Sequence, residues 1–77
     1  MDRLPSVTAK EAIKAFEKAG FEVVRTKGSH HQMTKPNHLY CLTVPYHGHK
    51  ALKKGTLRSL IRAAGLTVEE FVALLKD

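Results

Sequence analysis

The sequence holds five histidines in 77 residues, and all of them, His30, His31, His38, His47 and His49, lie between Val23 and Val68. The same stretch carries Arg25, Lys27, Lys35, Lys50, Lys53, Lys54, Arg58 and Arg62 but no Asp or Glu, because all seven acidic residues fall outside it. Histidine beside Lys and Arg is the equipment for cutting RNA without a metal. An imidazole titrates near neutrality and can take the proton of a 2′-hydroxyl. Fixed cations stabilise the charge that builds on the phosphoryl oxygens. A Mg²⁺ nuclease holds its ion mainly through carboxylates, and the stretch has none, so neither metal nor cofactor is expected. The competing reading of any single histidine here is an ordinary surface or structural residue.

Two other chemistries are weaker. His47 and His49 with Cys41 or His38 offer zinc-ligand types, but their spacing matches no common zinc framework, and there is one cysteine. Ser29 and Cys41 have no acid nearby in sequence to orient a base, Glu11 and Glu22 being the distant candidates.

A net charge of +6 gathered in this way sets up a one-signed field that attracts a polyanion, nucleic acid above all. A solvated basic surface is the bland alternative. An apolar share of 43% with 26% charged residues is that of a globular chain, read as a single domain over 1–77. Cys41 has no disulfide partner, no signal-peptide pattern is read, and no run approaches the ~20 apolar residues of a membrane helix. The expectation is a cytoplasmic protein that makes no use of a membrane.

These side chains need a scaffold, and the pattern predicts one. Thr8 with Glu11 is a capping box opening a helix to Ala19, which Gly20 terminates. Phe21–Thr26, Ser29–Lys35 and Leu39–Val44 read as strands, with Lys27-Gly28 as the first turn and Pro36-Asn37 as the second. Pro45 stops the third strand. Thr56 is read as the cap of a second helix closed by Gly65, and Thr67 with Glu70 opens a short last helix. The expected class is α+β: an α-β-β-β-α domain, a three-stranded antiparallel sheet with helices on one face and an extra short C-terminal helix. Its order resembles the double-stranded-RNA-binding-domain fold.

A Lys27-Gly28 turn sets Thr26 opposite Ser29, Arg25 opposite His30 and Val24 opposite His31. Alternation then puts His30 and His31 on opposite faces. Phe21 and Val23 fall on the face of His30, while Val24 and Met33 fall on that of His31, so the pattern leaves open which face is core.

Longer strings in the chain resemble the HicA family of messenger-RNA interferase toxins. They are Gly20-Phe21-x-x-Val24-Arg25-x-x-Gly28-Ser29-His30-His31, Thr43-Val44-Pro45-x-His47, Gly55-Thr56-Leu57-Arg58-Ser59-Leu60, and Ala63-Ala64-Gly65-Leu66-Thr67 with Glu69-Glu70-Phe71. The likeness runs from about Ala12 to Leu74. It implies ribonuclease activity on messenger RNA and a HicB-type antitoxin that covers the active site. It also implies His30 as the catalytic histidine, with His31 in reserve. RNA-binding candidates are Arg25, Lys27, Gly28, Ser29, Lys50, Lys53, Lys54, Thr56 and Arg58. Gly28 would bring backbone amides close to phosphate. Thr56 would cap its helix or help offer that helix's amides to an anion. For the general acid the candidates are His31, His47 and Lys27. The same basic face would also suit a module that binds structured RNA without cutting it, or one that meets an acidic protein.

Overall fold

Thr8 caps the first helix, α1 (Ala9–Lys18), through a complete box: its hydroxyl accepts the Glu11 amide at 3.2 Å, and the Glu11 carboxylate accepts the Thr8 amide at 2.9 Å. Ala9, Ala12, Ala15 and Phe16 form its buried stripe, with small residues that let the helix lie close to its neighbours. Gly20, at φ +103°, ends it in a Schellman motif. The Phe21 amide donates to the Phe16 carbonyl at 3.0 Å, the Gly20 amide donates to the Glu17 carbonyl at 3.0 Å, and the two Phe rings meet edge-on at 6.1 Å.

The computed structural model describes residues 4–76; the ends of the expected 1–77 domain, residues 1–3 and 77, lie outside the described residues. After α1 come β1 (Glu22–Lys27), β2 (His30–Thr34), β3 (Leu42–Pro45), α2 (Lys54–Ala63) and α3 (Val68–Lys76). The fold is α+β, with one antiparallel sheet ordered β1-β2-β3. Met33, Leu42 and Val44 from the sheet are buried with Phe16 of α1, Leu57 and Ile61 of α2 and Phe71 of α3. A fully buried side chain of this size contributes roughly 1.5–3 kcal/mol. A second capping box, Thr67 with Glu70, opens α3, as the sequence predicts. Lys18 then fastens α1 to the end of α3 by donating to the Leu74 carbonyl at 3.0 Å.

Four local expectations are corrected. The first turn is Gly28-Ser29 rather than Lys27-Gly28, since Lys27 pairs with His30, Thr26 with His31 and Arg25 with Gln32. Gly28 has φ +58° while Ser29 does not enter the positive range, the pattern of a type II′ turn. A β-bulge between Val23 and Arg25 slides the register by one residue, so Val23 pairs with Met33 and joins its face instead of that of His30. The third strand begins at Leu42 and not at Leu39. Pro36 and Asn37 (φ +62°) turn the chain, with the His38 amide donating to the Lys35 carbonyl at 3.1 Å, and His38 is then drawn to the end of α2. Finally, α2 begins at Lys54 with Lys53 as its N-cap, which moves Thr56 inside the first turn. Two long-range bonds fix that early start: the Leu52 amide donates to the Val7 carbonyl at 2.8 Å, and Lys54 Nζ donates to the Leu4 carbonyl at 2.8 Å.

Candidate nucleic-acid interface

The bulge decides which face of the sheet is open. Pairing carries Val23, Met33, His31, Leu42 and Val44 on one face, the side the helices cover. Arg25, Lys27, His30, Gln32 and Thr43 stand on the other, and all but the half-buried Gln32 are exposed. Val24, extruded at the bulge, is 52% exposed. His30 sits at the start of β2, directly after the turn, with Lys27 across from it on β1 and Pro45 across from it on β3. Glu22 pairs with Thr34 at the far end of the sheet, leaving the turn end one-signed.

Pro45 joins this face to a second basic group. Together with His47, Lys50, Ala51, Leu52, Lys53 and Thr56 it lines a recess at the start of α2. That helix end differs from the other two. Lys53 as N-cap makes no side-chain hydrogen bond, and the first turn has no acidic residue. Its first amides and the positive end of its dipole therefore face a cationic recess with no side-chain cap and no acidic residue in that turn, an arrangement favourable to an anion. His30 and this recess share Pro45 as a common wall.

The remaining sequence candidates divide. Gly28 and Ser29 form the turn beside His30. Lys54 bonds to the Leu4 carbonyl, so its charge is directed to the N-terminal segment. Arg58 is half-buried along α2. The four residues weighed for zinc are not gathered: among the described residues, no three His, Cys, Asp or Glu lie close enough to hold an ion. His38 is instead part of the packing. Its Nε2 lies 2.7 Å from the Ala63 carbonyl, and its ring meets Phe21 edge-on at 5.2 Å.

Sequence reasoning missed Tyr46. Its amide donates to the Ser29 carbonyl, and its ring stacks on His31 at 5.0 Å and 29°. The one available signal was its place inside the Thr43-Val44-Pro45-x-His47 string, where the variable position is this tyrosine.

No helix among the described residues is long and apolar enough to cross a membrane. Compared with known families, residues 9–66 match the model described as HicA toxin of bacterial toxin-antitoxin. No curated protein matches the chain.

Proposed function

The chain belongs to the HicA toxin family, the toxin side of a bacterial toxin–antitoxin pairing, and from that premise we propose that it is a metal-independent endoribonuclease acting on messenger RNA. The observation that carries this reading is the exposed His30, set between Lys27 and Pro45 on an open face that continues into the basic recess.

In this mechanism His30 removes the proton of a 2′-hydroxyl. The 2′-oxygen attacks the neighbouring phosphorus, and the bond from phosphorus to the 5′-oxygen breaks. The products are a 2′,3′-cyclic phosphate and a free 5′-hydroxyl. The leaving 5′-oxygen needs a proton, and on the accessible side Lys27 and His47 are the groups that can return it. Arg25, Lys27, Lys50 and Lys53 supply positive charge where the phosphoryl group becomes crowded and more negative. Gly28, Ser29 and Thr56 shape the backbone that the phosphates approach, and Arg58 adds charge along α2. The carboxylate-free stretch from Val23 to Val68 supports metal independence.

The partner is a HicB-type antitoxin that covers the open face around His30, and RNA and antitoxin then compete. The reducing cytoplasm suits the unpaired, exposed Cys41.

Wild type and His30→Ala, each checked for folding by circular dichroism, are compared on RNA in excess chelator. Cutting by the wild type alone is the expected result. Loss of cutting on adding chelator, restored by Mg²⁺, would contradict the mechanism. Intact RNA that is still bound would point to a binding module.

A further inference from the structure

His31 is adjacent to the proposed catalytic residue but lies on the other face. It pairs with Thr26 on β1 and Val44 on β3, which directs it to the helix-covered side, and it is half-buried there. Its Nδ1 is buried and makes no hydrogen bond among the described residues. A group that passes protons needs a hydrogen-bonded route, and no described residue offers this nitrogen one. The ring's visible engagement is the stack on Tyr46.

Tyr46 is the residue through which the two halves of the site are joined. It follows Pro45, which pairs with His30 but has no amide to donate. The next amide, that of Tyr46, makes the bond to the turn, donating to the carbonyl of Ser29. The following residue, His47, already lines the recess with Lys50 and Lys53. Tyr46 is thus held twice, by its backbone to the turn that carries His30 and by its ring to His31.

We infer that His31 is a positioning residue: its stack on Tyr46 clamps the end of β3 against the Gly28-Ser29 turn and so fixes His30 relative to the basic recess. This rests on the ribonuclease reading for its effect on rate, but the clamp itself is a structural property. An aromatic ring at position 31 is what the clamp requires, and an exchangeable proton there is not. A phenyl ring would keep the stack and would bury no unpartnered nitrogen.

The test uses the full chain with His31→Ala, His31→Phe, Tyr46→Ala and the double variant His31→Ala with Tyr46→Ala. Single-turnover cleavage of an RNA oligonucleotide in chelator, RNA affinity and hydrogen exchange at the Tyr46 amide are read for each. Misplacing a catalytic group by about 1 Å costs up to ~10²-fold, so His31→Ala is expected to slow cleavage by about tenfold, with RNA affinity little changed. His31→Phe restores the rate to near that of the wild type. The double variant is no slower than the slower single variant, since both remove one contact. Exchange at the Tyr46 amide accelerates in His31→Ala and recovers in His31→Phe. A folded His31→Phe as inert as His30→Ala, or a His31→Ala with undiminished rate, would overturn the assignment. If the wild type cuts no RNA, the ribonuclease reading fails and amide exchange alone decides the clamp: unaltered exchange in His31→Ala refutes it.

Discussion

The two ends of the sheet treat the same residue type in opposite ways. At the far end His38 is built in, bonded to the Ala63 carbonyl, set edge-on to Phe21 and approached by Gly65, where an added Cβ would come within 3.5 Å of its ring. At the turn end His30 is exposed and pairs through its backbone with Lys27 and Pro45, while its imidazole makes no hydrogen bond to another described residue. One imidazole is bonded into the fold, whereas the other is left open to solvent. The helix starts repeat the contrast: α1 and α3 satisfy their first amides with Thr-Glu boxes, whereas α2 begins on Lys53 with no side-chain cap. What the turn end lacks in self-satisfaction is what an RNA phosphate would supply.

The sharpest way to break this comparison is to remove both histidines separately. His30→Ala should lower cleavage by at least ~10²-fold, the scale of a lost general base, while stability moves by no more than about 0.5 kcal/mol. His38→Ala should do the reverse. Losing its bond to Ala63 and its contact with Phe21 is expected to cost about 1–3 kcal/mol in urea unfolding, with cleavage per folded molecule unchanged. Equal loss of activity in the two, at equal folded fraction, would erase the distinction between the two ends.

Next in size is Lys53→Asp. A carboxylate at this N-cap should satisfy amides of α2 and stabilise the protein by about 1 kcal/mol. The same change should weaken RNA binding by about tenfold at low salt and reduce the slope of log affinity against log salt by about 1. A variant that is both more stable and a poorer binder would show the α2 start to be uncapped for the sake of an anion. Unchanged RNA affinity would remove the recess from the interface. Smallest is Thr8→Ala, which breaks the α1 box and is expected to cost about 1 kcal/mol with no effect on RNA affinity.

Local signals carried much of this architecture into the sequence. Thr8 with Glu11, Thr67 with Glu70, and the two terminating glycines mark helix ends by chemistry contained within a few residues. Strand alternation correctly separated His30 from His31 and placed Arg25 with His30, because a shift of the turn by one residue moves the pairing register by two and preserves parity. The bulge at Val24 was not legible. Nothing in a Val-Val pair shows that a strand will carry an extra residue, and without it Val23 falls on the wrong face. The start of α2 was also hidden, because it is set by bonds from Leu52 to Val7 and from Lys54 to Leu4 across more than half the length of the chain. Separation along the chain also hid the diversion of the Lys54 charge to Leu4 and, over a shorter span, the grip of Tyr46 on the turn.

The central claim is that the nucleophile comes from the RNA itself, with His30 as its base. The most direct test uses two oligonucleotides that differ by one atom, the 2′-oxygen at a mapped cut site, each incubated with the wild type in excess chelator. The account predicts that the ribose version is cut to a 2′,3′-cyclic phosphate and a 5′-hydroxyl, and that the 2′-deoxy version stays whole. Equal cutting of both would show that the attacking oxygen is not the 2′-hydroxyl and would remove the role given to His30.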